Sequence, residues 1–241
     1  VPLQNRVDPF GAIHAVPERG MFTGNRGIIH DPQTKTLLRK RWALPAWIIC
    51  TCEYKGKRRE PMGRNRPGGV NGAGLPGWTE LFFLDEVTAL AAGHRPCFFC
   101  RHERAGDFVA RFGKAFGIAA PRAPMLDKRL HKERFASSRK PLPAITIDAV
   151  GALPDGAMVA ACGPPTPGDT RASGDPHSMN SSGAFAIRGG QFLPWSFAGY
   201  GKPVEPMVFA GRSFVLVTPP TTVAILAAGY RPAWHETAAP A

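Results

Sequence analysis

The stretch AAGHRPCFFC at residues 91–100 constrains the fold of this chain more than any other segment. Upstream of it, Phe83, Val87, Leu90 and Ala91 recur at helical spacing. Asp85 and Glu86 stand where the positive end of a helix macrodipole favours acids. Gly93 is the expected left-handed residue just past the helix, and Pro96 stops any continuation. The chain carries its own control, because AAGYRP recurs at 227–232 with no cysteine after it. Gly-x-Arg-Pro therefore needs no metal, and the chemical content of the first copy lies in Cys97-x-x-Cys100.

Two residues between cysteines let both thiolates reach one tetrahedral Zn²⁺ from a tight turn, while backbone amides offset the charge on sulfur. Upstream, Cys50 and Cys52 stand at i and i+2 on the expected strand WIICTCEY (47–54), so both side chains share a face. C-x-C followed by C-x-x-C is zinc spacing in outline. Cys50, Cys52, Cys97 and Cys100 form the simplest ligand set. His94 and His102, which flank the C-x-x-C turn, are alternatives to Cys52. The competing reading is a pair of buried free thiols. Cys162, in MVAACG, reads as a core residue. Five cysteines with short-spaced pairs suit a reducing compartment and metal binding better than a disulfide framework.

The 27 glycines and 25 prolines among 241 residues favour many short elements over a helical bundle. The pattern predicts an α+β protein in two parts. Residues 1–140 form a small basic zinc-binding domain built from a strand, a long loop (55–77), a helix and the C-x-x-C turn. Residues 141–241 form a mostly β domain closed by one helix. In the first part the helix is expected across WTELFFLDEVTALAAG, a second begins near His102, and a third spans 123–135. In the second, ITIDAV, GAMVAAC, GAFAIRGGQFLPWSF and RSFVLVTPP read as strands, and 163–183 as a polar insertion. Thr218 and Pro219 are the expected N-cap and first turn of the closing helix. No apolar run approaches the ~18–20 residues of a membrane span, and VPLQNRVDPF lacks a signal-peptide core. The expectation is a soluble, cytoplasmic protein of bacterial type.

Charge divides unevenly. Residues 1–140 hold 25 Lys/Arg against 12 Asp/Glu, a net of +13, whereas residues 141–241 hold 5 against 6, a net of −1. A basic half joined to a neutral half suggests a polyanionic partner, nucleic acid above all. Three further clusters are candidates for chemistry. Asp127, His131 and Arg134 fall at i, i+4 and i+7 of the third helix, where they suit an acid–base or phosphate site or an ordinary charged face. Asn25, Arg26, His30 and Asp31 occupy a Gly-flanked loop that suits Mg²⁺ or a general base, or a simple turn. Trp195, Phe197 and Tyr200 either stack on a base or plug a β core. Phosphate-loop, dinucleotide-binding and nucleophile-elbow motifs are absent from the sequence.

DEVTALAAGHRPCFFCR resembles the second half of the zinc-binding module of the Ada family, the bacterial methylphosphotriester DNA repair proteins. The likeness covers roughly residues 47–104, its specific part being 89–101. It implies that Cys97 and Cys100 are zinc ligands and that Cys50 takes the place of a cysteine of the family's first pair. That pair is spaced C-x₃-C and includes the alkyl acceptor, whereas this chain has C-x-C and a longer loop to the second pair. A zinc-bound thiolate stays deprotonated and nucleophilic at neutral pH. Arg41, Lys55, Lys57, Arg58, Arg59, Arg95, Arg101 and Arg104 would then grip phosphates beside it. The leading expectation is a zinc-containing DNA-binding protein concerned with damaged or modified DNA. The alternatives are a nuclease or repair hydrolase using His30, Asp127, His131 or Glu133, and a zinc-stapled structural protein.

Overall fold

The computed structural model of the protein describes residues 1–138, 141–162 and 183–238. The polar insertion expected at 163–183 thus lies outside the described residues except for Gly183. The chain opens with β1 (Arg6–Val7), β2 (Ile13–His14) and β3 (Phe22–Asn25), then a small hairpin of β4 (His30–Asp31) and β5 (Thr36–Leu37). Next come β6 (Ile48–Thr51), the hairpin β7 (Glu53–Tyr54) and β8 (Lys57–Arg58), β9 (Leu81–Phe83), α1 (Glu86–Ala91) and β10 (Arg95–Pro96). Six of these strands make a mixed sheet in the order β10-β6-β3-β9-β1-β2.

The helix expected from Trp78 onward is shorter than its pattern. Leu81 and Phe83 are buried with Phe82 between them less so, a period of two that suits a strand paired on both sides. Asp85 then caps α1, its Oδ1 accepting from the Thr88 amide and hydroxyl, both at 2.8 Å. At the other end the two AAG-x-R-P copies adopt one geometry. Gly93 N–H donates to Leu90 O and His94 N–H to Ala89 O, both at 2.9 Å. Gly229 N–H donates to Leu226 O at 2.9 Å and Tyr230 N–H to Ile225 O at 3.2 Å. Both glycines have positive φ, 81° and 102°. This is the paired 6→1 and 5→2 bonding of a Schellman cap, formed with or without cysteines behind it.

Two further helices follow, α2 (His102–Phe116) and α3 (Ala123–Glu133), then a single turn, α4 (Phe135–Ser138). The expected third helix is broken at Arg134, which is extended (φ −69°, ψ 135°). Its buried guanidinium lies 4.1 Å from the Trp47 ring centroid, and that of Arg26 lies 3.9 Å from it. Burial, with each cation repelling its neighbour, brings the Arg26 pKa down to about 9.

The second sheet runs β11 (Ala144–Ile145), β16 (Ser213–Leu216), β12 (Met158–Cys162), β13 (Ala184–Arg188), β14 (Gln191–Ser196) and β15 (Gly199–Tyr200), all antiparallel. Only the first residues of ITIDAV are strand. Thr146 Oγ1 accepts from Ala149 N–H and starts the short helix α5 (Ile147–Gly151). The closing helix α6 (Pro220–Ala227) has Pro219 as its N-cap, one residue later than expected, because Thr218 Oγ1 instead accepts from Met158 N–H at 2.8 Å. Sheets and helices occur together, as in an α+β protein.

The two halves interlock. Ile225, Leu226 and Tyr230 from α6 and its cap join Phe83, Leu90, Phe108 and Leu130 in one apolar cluster. Leu84 and Val87 join Met158, Trp195 and Tyr200 in another. Trp195 and Tyr200 thus fill core, and the base-stacking role considered for them is not available. The acids that open α1 tie the halves together by polar contacts. Asp85 Oδ2 accepts from Tyr200 Oη at 2.9 Å and from His235 N–H at 3.1 Å. Glu86 takes Arg101 (2.9 Å), Arg104 (3.0 Å), Tyr230 Oη (2.7 Å) and Ala233 N–H (2.9 Å).

Burial alone would raise the Glu86 pKa, but Arg101 and the hydrogen bonds outweigh it and the carboxyl sits below its ordinary value. A depressed carboxyl contributes stability above its unfolded value, about 4.3, and loses it as pH falls through the folded one. Glu86→Gln is expected to lower stability at neutral pH by about 3–5 kcal/mol in urea unfolding, because Arg101 is left buried without its counter-charge. The gap to wild type should narrow below about pH 4; a gap that holds unchanged into strong acid would show that the pair contributes nothing.

Candidate metal centre

The cap at Gly93 turns the chain directly into β10, which pairs in parallel with β6. Arg95 N–H donates to Trp47 O at 3.0 Å and Cys97 N–H to Ile49 O at 2.9 Å. That register sets Cys97 beside Cys50, which lies on β6 opposite Thr23 of β3. The next turn, closed by Arg101 N–H on Cys97 O at 3.0 Å, brings Cys100 back to the same point. The Sγ atoms of Cys50, Cys97 and Cys100 all lie within 4.8 Å of one another. Thiolates on one tetrahedral Zn²⁺ at ~2.3 Å stand about 3.8 Å apart, so the three need little movement to share an ion.

Chemistry agrees with geometry. The sulfurs of Cys100 and Cys50 as hydrogen-bond donors, and then the amides of Cys100 and Phe99, lower the Cys97 pKa. The Phe99 N–H reaches its sulfur at 3.3 Å. Cys50 is pushed the opposite way, upward, by the sulfurs of Cys100 and Cys97 and by burial. Three crowded thiols cannot all ionise without a cation to share their charge. Soft sulfur donors select zinc, copper(I) or iron–sulfur chemistry over hard cations.

The expected fourth ligand is not there. Cys52 is exposed, with its thiol against the backbone oxygens of Met21 (3.4 Å) and Gly20 (3.8 Å). It lies past the end of β6, so the i, i+2 alternation that would have aligned it with Cys50 no longer applies. His94 is fully buried, packed on Phe83 and Trp47, and accepts from Arg26 Nε at 3.3 Å. His102 is engaged with Phe98 O at 3.1 Å. Cys162 is exposed at the end of β12 and is not the core residue its neighbours suggested. Among the described residues the group whose donor atoms converge closely enough to hold a metal is these three cysteines.

These cysteines open onto a cavity of about 960 Å³. Trp78, Tyr54, Phe82 and Phe99 contribute aromatic lining; Lys40, Lys55, Lys57, Arg59 and Arg66 contribute charge, against one acid, Glu80. Glu80 is buried and organises the loop expected at 55–77. It accepts from Arg59 Nε at 2.7 Å, Met62 N–H at 2.9 Å and Asn65 Nδ2 at 3.1 Å. The tip of the β7–β8 hairpin turns on Lys55 and Gly56, both at positive φ, as a two-residue type I′ loop requires.

The basic residues expected at an interface divide into two groups. Arg95 forks onto Asp127 at 2.8 and 2.9 Å inside the protein, and Arg101 and Arg104 are held by Glu86. Their charge is used within the fold. Arg58 pairs with Glu53 across its hairpin at 2.8 Å, and Arg41 is exposed with Nη1 on the Leu38 and Arg39 oxygens. Lys55 and Lys57 are exposed, and no carboxylate pairs with them among the described residues. Lys40, from the loop after β5, and Arg66 and Trp78, from the connection between β8 and β9, also line the cavity, and no sequence motif marks them.

The proposed acid–base residues do not converge. Asp127 is committed to Arg95. His131 packs edge-on to Trp42, with centroids 4.6 Å apart. His30 is buried with Nδ1 2.7 Å from Thr79 Oγ1, in the β4–β5 hairpin. No hydrogen bond or ion pair joins these three among the described residues. Glu133 is spent on Thr221, holding the start of α6 through its amide at 2.8 Å.

No protein-family model matches the chain, and neither a curated protein nor a solved structure matches it significantly. Among the described residues no helix is long and apolar enough to cross a membrane.

Metal analysis of the purified protein is expected to find one ion per chain. Cys52→Ser should keep it, and Cys50→Ser or Cys97→Ser should lose most of it. Loss in Cys52→Ser equal to that in Cys97→Ser would contradict the three-cysteine assignment.

Proposed function

We propose that the protein is a zinc-containing nucleic-acid-binding protein in which Cys50, Cys97 and Cys100 hold the ion. One observation carries this reading: the three-sulfur cluster faces a cavity edged by exposed cations that no carboxylate pairs with among the described residues. Lys40, Lys55, Lys57 and Arg66 have no carboxylate partner among the described residues. Uncompensated lysine and arginine beside a concave surface suit phosphate, and the +13 net charge of residues 1–140 supports a polyanion.

DNA as the partner, and damaged or modified DNA in particular, rests on the resemblance of residues 89–101 to the Ada module. The first cysteine pair departs from that family further than its spacing alone implies, because only Cys50 joins the cluster. Structural zinc sites are closed by four protein ligands, whereas three leave a position for an outside ligand. That count favours a site that meets a ligand over a simple staple.

Fluorescence anisotropy with a labelled DNA oligonucleotide tests the reading. Affinity should fall linearly with salt on logarithmic axes, and Lys55→Ala with Lys57→Ala should reduce the slope by about 2. Absence of binding at low salt, with melting unaffected by DNA but abolished by chelation, would leave the metal as a staple only.

A further inference from the structure

We infer that the cavity beside the three cysteines is a nucleotide pocket, taking one aromatic base against its aromatic wall and the attached phosphate on its cationic edge. This inference rests on the nucleic-acid reading above and specifies what the site receives. The volume, about 960 Å³, is that of a small-molecule pocket and excludes a double helix.

Three features of the lining point to this ligand class. The first is shape of charge. Lys40, Lys55, Lys57 and Arg66 are exposed, whereas Cys50 and Cys97 are buried, so cations edge the cavity and sulfur lies deeper. A ligand that matches carries anionic groups at one end only. The second is the aromatic set. Phe99 is 76% exposed despite its size and packs on Tyr54 at 5.0 Å between centroids. Trp78 is held by the Arg59 guanidinium, 4.3 Å from its ring centroid, and Arg59 is in turn fixed by Glu80. A planar ring stacks on such surfaces whatever its sequence identity. A purely aliphatic anion would leave this arrangement unused.

The third is unsatisfied polarity. Arg59 Nη2 and Thr51 Oγ1 are buried atoms of lining residues, and neither has a hydrogen-bond partner among the described residues. A buried donor left unpaired costs free energy, and most such groups in folded proteins are satisfied. A base edge or sugar-phosphate could satisfy either atom once its side chain turns toward the cavity. Gly77 maintains this arrangement, since a Cβ there would stand 2.2 Å from Arg59 Nη2.

The shared chemistry, base plus phosphate, has two sources: a free nucleotide, or one unit of a single strand. The test uses the metal-loaded full chain with a labelled single-stranded DNA 12-mer, the matching blunt duplex and thymidine monophosphate as competitor. The expected result is single strand bound at least tenfold more tightly than duplex. Phe99→Ala, a change at an exposed residue, should weaken the single strand about 5- to 150-fold without changing metal content. Trp78→Ala should do the same.

Thymidine monophosphate that binds and is weakened by Phe99→Ala, with no binding of either oligonucleotide, would uphold the pocket and overturn the nucleic-acid reading. Duplex bound as well as single strand, with both variants unchanged, would overturn the pocket and leave the nucleic-acid reading standing. No binding of any of the three probes would overturn both.

Discussion

Two backbone hydrogen bonds between β10 and β6 determine whether this protein has a site at all. They join segments 47 residues apart in sequence at Cys50 and Cys97, and they exist because the helix before them ends on a left-handed glycine. A Cβ at Gly93 would meet the Cβ of Arg134 at 2.7 Å as well as straining φ, so the turn tolerates little else. The cap aims the chain, the parallel pairing sets the register, and the C-x-x-C turn supplies the third sulfur. The metal would lock an arrangement that the backbone has already made.

The same cap recurs at Gly229 and serves another purpose. There it delivers Tyr230 and the segment after it to Glu86, at the start of the first helix. One local device thus leads into the C-x-x-C turn in one place and fastens the two sheets together in the other. Buried charge does the rest of that fastening. Glu86 and Asp127 neutralise Arg101 and Arg95 within the fold.

Elements whose cause is local were legible in the sequence. The acids opening α1, the glycines ending α1 and α6, and the start of α2 all follow from residues within a turn or two. The strand LFF was hidden because its apolar spacing also fits a helix, and only pairing with β1 and β3 decides between them. At the site, Cys50, Cys97 and Cys100 were legible from spacing. Cys52 was not, because periodicity says nothing of where a strand stops. The arginines were misjudged for a different reason: a charged residue looks the same in sequence whether it faces water or a buried carboxylate. The cavity itself could not be read, being assembled from loops that share no pattern.

In the proposed reading three sulfurs, and not four, hold a single metal ion at the edge of the cavity. X-ray absorption at the zinc edge of the purified protein addresses it directly. The expected spectrum has three sulfur scatterers at about 2.3 Å and one lighter atom nearer the metal. A shell of four sulfurs, or a metal with no sulfur around it, would contradict the assignment of Cys50, Cys97 and Cys100 as an open site.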